Sequence, residues 1–328
     1  MKRIYITRQI PQLAVTMLKV KGYDVVVGKD KTPVSTKKII DILKAEEKKG
    51  KGFDALISLL TEKITSKVID AATGLKIVSN YAMGYDNIDV KAITARGVVV
   101  TNAPGKYTDT IAEHTVALIL GATTHIAAAD RFVRAGKYKG WDPMIFTGTD
   151  ISGKTVGLIG AGRIGERVAH HLAKGFESKI IYFDARPNER IEKEYGAIRI
   201  ESLDELLAQS DIVSLHVPLL PSTHHMVNAK FLKKMKKTAF LINTARGPVV
   251  DEVALVTALK TKQIAGAAID VYEFEPKLVK GLNKLENVVL TPHIASASEF
   301  ARNEMARVAA QNVIDVFENR TPAGIVLE

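Results

Sequence analysis

Three side chains in the second half of this 328-residue sequence have the types needed to move a proton beside a polarised carbonyl. Arg246 lies in Asn243-Thr-Ala-Arg246-Gly247, Glu275 in Asp270-Val-Tyr-Glu-Phe-Glu275-Pro276, and His293 in Leu290-Thr-Pro-His293-Ile-Ala-Ser. An arginine binds a carboxylate and polarises a neighbouring carbonyl. A histidine titrates near neutrality, so it gives or takes a proton at physiological pH. A carboxylate beside it holds the tautomer and favours imidazolium. Each residue alone has a plain structural explanation, as a surface ion-pair arginine, one acid of several in a loop, and a hydrogen-bonded structural histidine. Together, each just after an apolar run, they form a coherent acid–base set.

Upstream of them is a loop suited to phosphates. The run Lys154-Thr-Val-Gly-Leu-Ile-Gly160-Ala161-Gly162-Arg163-Ile164-Gly165 reads as a strand entering a glycine-rich turn, with a helix over 166–174. Gly160 permits the tight turn, Gly162 lets the backbone approach a pyrophosphate, and Gly165 lets the helix pack on the strand. The helix N-terminus offers free amides to the phosphates. About 20 residues on, Tyr182-Phe183-Asp184 ends the next strand with a carboxylate for the ribose hydroxyls, which disfavours a 2′-phosphate. Arg186 complicates this, since it suits either stacking on adenine or holding that phosphate. The preferred cofactor is NAD, ahead of NADP.

These residues need elements to hold them at strand ends. Short Val- and Ile-rich runs at 3–7, 24–27, 55–58, 76–79 and 98–101 form one series. A second series follows at 155–159, 179–183, 197–200, 212–216, 239–242, 267–270 and 288–291. Apolar on both faces and alternating with helical patterns, they imply an α/β protein with parallel sheets. The region 104–150 separates the series, with a long apolar helix over 109–128, a second helical piece after it, and a polar loop at 136–153 bearing the only tryptophan, Trp141. Ser202-Leu-Asp-Glu205 reads as a capping box opening a helix to 209.

Composition narrows the function classes. There are no cysteines, which excludes disulfides and thiol nucleophiles. The net charge of +10 comes from scattered lysines without interleaved aromatics, so a solvated surface is favoured over nucleic-acid binding. No apolar stretch is long enough for a bilayer, and the N-terminus runs into a strand pattern without a signal-peptide pattern. A cytoplasmic protein with no membrane partner is expected. The histidine pairs 170–171 and 224–225 lack metal-ligand spacing, so no metal is expected, and GxSxG is absent.

The chain resembles the D-isomer-specific 2-hydroxyacid dehydrogenases, and within them the glyoxylate/hydroxypyruvate reductases. The resemblance is nearly full length. It is carried by Asn80-Tyr-Ala-Met-Gly84-Tyr-Asp-Asn-Ile-Asp89, Thr101-Asn-Ala-Pro104, the glycine loop, His216-Val-Pro218-Leu, Asn243 to Gly247, Asp270 to Pro276, and Thr291 to Ala297. It implies two Rossmann-like doubly wound parallel-sheet domains. The dinucleotide-binding domain, 104–293, is inserted into a discontinuous substrate domain of 1–103 and 294–328.

The resemblance also implies roles. Arg246 binds and polarises a small 2-oxo acid, Glu275 orients His293, and His293 is the acid–base group. Leu60, Met83 and Gly84 would join Arg246 and His293 around the substrate. Besides Gly160 to Gly165, the cofactor would meet Asp184, Ala185 and Arg186 at its adenosine end. His216, Val217, Pro218 and Thr223 would flank it, and Thr110, Thr244, Ala245, Arg246, Asp270, His293 and Ala295 would surround the nicotinamide. A homodimer through the 104–150 region is implied. Departures are Asp184-Ala185, where NADPH-using members carry a hydroxyl residue and then basic ones, Met83 where phosphite dehydrogenase has lysine, Ala295 in place of a common glycine, and a shorter tail at 321–326. Two alternatives stay open: D-lactate or D-3-phosphoglycerate dehydrogenase, and a non-enzymatic NADH-sensing protein like the C-terminal-binding corepressors.

Overall fold

The computed structural model describes residues 1–326. The chain forms two compact units, Met1–Tyr107 with the segment from Ala297 onward, and Thr108–Ser296. The crossings fall at 107/108 and 296/297, three to four residues beyond the 103/104 and 293/294 expected from sequence.

The first unit contains β1 (Arg3–Ile6), β2 (Asp24–Val27), β3 (Ala55–Leu59), β4 (Ile77–Tyr81) and β5 (Val99–Thr101), all parallel, in the order β2-β1-β3-β4-β5. Ile4, Ile6, Leu56, Ile57, Ile77 and Val78 are fully buried, which explains why these runs show no polar alternation. Each such side chain contributes about 1.5–3 kcal/mol of burial before entropy is counted. The helix Glu299–Phe317 packs on β4, and Val326 N donates to Val100 O at 2.9 Å, so the last helix belongs to this unit.

The second unit contains β6 (Thr155–Ile159), β7 (Lys179–Phe183), β8 (Ile198–Arg199), β9 (Ile212–Leu215), β10 (Phe240–Asn243), β11 (Gly266–Ile269) and β12 (Val288–Leu290). They form one parallel sheet in the order β12-β11-β10-β9-β6-β7-β8. Chain order reverses between β6 and β9, the switch point where doubly wound sheets receive ligands beyond their carboxyl ends. Apolar clusters cover both faces, one around Leu215, Leu241 and Ile269, the other around Leu158, Tyr182 and Ile242.

Two local expectations need correction. The two helices expected before the 136–153 loop are present as Thr108–Thr123 and Ile126–Arg134, but the break falls before 128, at His125 with its left-handed φ of 59°. Ser202 makes no side-chain cap on the helix Leu203–Gln209. Glu205, the expected reciprocal partner, instead accepts from Gln209 Nε2 at 2.9 Å. Among the described residues no single helix is long and apolar enough to cross a membrane. Nor, among them, are three His, Asp or Glu side chains gathered to hold a metal ion.

Candidate active site

Because the second sheet is all parallel, every residue that follows a strand reaches the same edge. After β6, Gly160 adopts a φ of +95°, and a Cβ there would sit 2.6 Å from the His216 carbonyl oxygen. A Cβ on Gly165 would lie 2.3 Å from the Gly160 oxygen, so strand, turn and the helix Arg163–Phe176 pack backbone to backbone. A Cβ on Gly162 would meet nothing within 4 Å, which marks the face open to a ligand. Gly162 is the N-cap and supplies no side-chain cap, so the first-turn amides of this 14-residue helix are available for an anion. This cradle fits the pyrophosphate of a dinucleotide.

Asp184 follows β7. Its carboxylate accepts from Ala161 N at 2.7 Å and from Arg186 N at 3.0 Å, which fixes it beside the glycine turn. Arg186 and Ala185 are exposed, and Arg199 donates to the Asp184 carbonyl at 3.2 Å. After β9, burial pushes His216 down to about 4, so the ring is neutral at pH 7 with Nε2 3.0 Å from Ser214 Oγ. Val217 is partly buried beyond it, and Pro218 is exposed with its carbonyl accepting from Thr223 Oγ1 at 2.7 Å.

The three chemical side chains come from the next three strand ends. After β10, Asn243 braces the turn: its side chain donates to Arg246 O at 3.0 Å and accepts from Ala245 N at 3.0 Å. Thr244 is buried and meets Thr115 Oγ1 at 3.0 Å, while Thr110 is half-buried on the same helix as Thr115. After β11, Glu275 accepts from Tyr272 N at 3.0 Å, and both its oxygens lie 3.1 Å from His293 Nδ1. Burial by itself would raise the Glu275 carboxyl. The hydrogen bond and charge of His293, the Tyr272 amide and the nearby Arg246 outweigh it and hold Glu275 below the ordinary range. The structure thus brings Glu275 and His293 into contact and places Arg246 within electrostatic reach.

Asp270 serves this arrangement from beneath. Fully buried, it accepts from Thr291 Oγ1 at 2.6 Å and from the amides of Ile294 and Ala295 at 2.9 Å each, with His114 Nε2 3.4 Å away. Burial pushes its carboxyl up, but these four donors hold it below the usual value. Two of them, the amides of Ile294 and Ala295, directly follow His293, which holds a left-handed φ of 54° and contacts Glu275 through Nδ1. Sequence reasoning placed Asp270 near the nicotinamide and missed this anchoring, together with His114 and Thr291. A carboxylate at a strand end with a threonine and a histidine facing it was the only signal.

In the first unit, Leu60, Met83 and Gly84 are partly buried beyond β3 and β4. Asn102 Nδ2 donates to Met83 O at 2.7 Å and Asn80 Nδ2 to Gly84 O at 2.8 Å. Both carbonyls are thereby tied back, and among the described residues neither amide meets an acceptor. Asn80, Asn87 and Asn102 were legible only as parts of longer motifs.

A parallel sheet with a phosphate cradle at its switch point, and an imidazole–carboxylate pair beside an arginine on the same edge, defines a nicotinamide-dependent dehydrogenase. Residues 116–295 match the D-isomer specific 2-hydroxyacid dehydrogenase, NAD binding domain. The chain belongs to that family, whose members act on small 2-hydroxy and 2-oxo acids. It is 47% identical to the glyoxylate reductase of Thermofilum pendens over 99% of this chain and 94% of that one. It is 45% identical to the glyoxylate reductase of Pyrococcus horikoshii, covering 99% and 95%. Among solved structures, an NADPH-dependent glyoxylate/hydroxypyruvate reductase from Sinorhizobium meliloti superposes with a TM-score of 0.86 at 31% identity, covering 99% of this chain and 98% of that one.

Proposed function

We propose that this enzyme reduces glyoxylate or hydroxypyruvate to the corresponding 2-hydroxy acid with NADH. The observation that carries the reading is the Glu275 carboxylate against His293 Nδ1, on the sheet edge that also holds Arg246 and the glycine loop. When bound, the reduced nicotinamide supplies two electrons and a hydrogen to the 2-oxo carbon. Arg246 polarises the carbonyl and stabilises the negative charge that grows on its oxygen. His293, as imidazolium, delivers a proton from Nε2 to that oxygen. Glu275 accepts from Nδ1 and holds the ring oriented for that transfer. We assign the amides of Met83 and Gly84 to the acid's carboxylate, and Leu60 to the substrate side chain.

The choice of acid is supported by the glyoxylate reductases among its relatives. The choice of NAD is supported by Asp184, fixed by two backbone amides where a 2′-phosphate would arrive. A survey of glyoxylate, hydroxypyruvate, pyruvate and bulkier 2-oxo acids tests both. Glyoxylate and hydroxypyruvate are expected to give the highest kcat/KM, with NADH preferred over NADPH by about tenfold or more. Asp184→Ala is expected to shrink that preference. Tight NADH binding with no turnover on any 2-oxo acid replaces this reading with a sensor role.

We further propose a cytoplasmic homodimer joined through the 104–150 region. Trp141, Met144 and Val133 are 84%, 78% and 57% exposed in that region, apolar side chains that a partner would cover. Light scattering on the purified protein is expected to give twice the chain mass, and Trp141→Lys with Met144→Lys to shift it toward the monomer.

A further inference from the structure

Behind the Arg246 turn and the Glu275 loop lies a cluster to which the reaction above gives no role. Three segments meet there, at 223–227, 246–252 and 272–279. Their backbones are laced together, with His225 N donating to Pro248 O at 2.9 Å and Val227 N to Val249 O at 3.0 Å. A Cβ on Gly247 would sit 1.9 Å from both the carbonyl carbon and oxygen of Tyr272, so the turn after Arg246 rests directly on the loop that leads to Glu275.

Side chains complete the lacing. Glu252 is 1% exposed, and its carboxylate spans the Glu275 loop, accepting from Glu273 N at 2.8 Å and from Val279 N at 3.4 Å. Glu273 returns the contact, accepting from Glu252 N at 3.4 Å. Its other oxygen lies 2.7 Å from His225 Nε2, with side-chain exposures of 11% for Glu273 and 37% for His225. His224 stacks on His225 with ring centroids 4.1 Å apart. Two imidazole–carboxylate pairs therefore hang on one loop, two residues apart: Glu275 with His293, and Glu273 with His225. Three carboxylates, Glu252, Glu273 and Glu275, share this small region. The groups facing them are the imidazoles of His225 and His293 and the guanidinium of Arg246.

We propose that His225, Glu273 and Glu252 are positioning residues that hold the Glu275 loop against the Arg246 turn, and that through Glu275 they set how strongly His293 keeps its proton. A network of complete hydrogen bonds to both ends of a loop restricts that loop far more than its sequence would. The proposal rests on Glu275 and His293 being the acid–base pair.

The test compares His225→Ala with His225→Gln, at a side chain exposed enough for both to fold. His225→Ala is expected to lower kcat/KM for glyoxylate about tenfold. The alkaline limb of the pH profile, where His293 loses its proton, should move down by about half a pH unit. Amide hydrogen exchange at Glu273 and Val279 should quicken by about tenfold or more, with NADH affinity within about twofold of wild type. His225→Gln keeps an N–H within reach of Glu273 and should restore all three readouts. Wild-type exchange at Glu273 and Val279 in His225→Ala overturns the network. So does slower turnover with an unmoved pH limb, which signals a purely structural contact. If the wild-type enzyme turns over no 2-oxo acid, the functional reading fails, and amide exchange alone decides whether the network holds the loop.

Discussion

Replacing His293 with alanine is expected to lower kcat for 2-oxo acid reduction by about a thousandfold, with NADH affinity within about twofold of wild type. The magnitude follows from removing the imidazole that Glu275 holds at the edge where Arg246 lies. A positioned proton donor contributes about 10²–10⁴ in rate, and water replaces it poorly. Binding survives because the phosphate cradle at Gly160 to Gly165 and Asp184 lie on other strand ends. Stopped-flow turnover and fluorescence titration with NADH separate the two quantities. Turnover within tenfold of wild type would sink the assignment of His293.

Glu275→Gln sharpens the same point. Burial alone would raise the Glu275 carboxyl, but His293, the Tyr272 amide and Arg246 hold it below the ordinary carboxylate range, so the folded enzyme favours its ionised form. Losing that charge removes the group that favours imidazolium, so the alkaline limb of the reduction profile should move to lower pH. Because the folded-state value is depressed, the pairing stabilises the fold above the unfolded value of about 4.3 and is lost as pH falls through the folded one. The variant's stability deficit should therefore be largest near neutrality and shrink toward pH 4.

Much of this site could be read from the sequence, for reasons that are physical. Buried parallel strands are continuous apolar runs, so every strand from β1 to β12 had a counterpart in the pattern. The residues after β6, β7, β10, β11 and β12 then had to share one edge, which placed Gly160, Asp184, Arg246, Glu275 and His293 near each other before any contact was known. What escaped depends on tertiary neighbours. Glu252 reads as a first-turn helix acid following its N-cap, Asp251, and nothing in its own segment says that it spans a loop 21 residues on. His225 reads as half of a histidine pair. Asn80 and Asn102 reveal their function only where their side chains tie back the carbonyls of Gly84 and Met83. The capping box at Ser202 failed for a local reason, since Gln209, one helical turn on, competes for Glu205.

Asp270 carries the second large effect. With Asp270→Ala, the unfolding free energy of the second unit is expected to drop by about 3–5 kcal/mol, and kcat should fall with it. The carboxylate is fully buried and collects donors from Thr291, Ile294, Ala295 and His114. Removing it takes the acceptor from the part-buried Ile294 amide and the buried Ala295 amide, the latter at a cost of about 1–3 kcal/mol. It also releases the backbone on the C-terminal side of His293, where a non-glycine residue holds a left-handed φ of 54° only because its surroundings fix it. Asp270→Asn keeps the volume but turns a donor toward donors, so it should recover the packing and little of the rate. Asp270 titrates below its ordinary value in the folded protein. Its contribution is therefore fully present above the unfolded value of about 3.9, and it disappears as pH falls through the folded value. Thermal denaturation of wild type and Asp270→Ala between pH 7 and pH 3 checks this: the two melting curves should converge as the acid limit is approached. A separation that stays constant down to pH 3 would mean that Asp270 acts by filling space, and that the ionised carboxylate does not anchor His293.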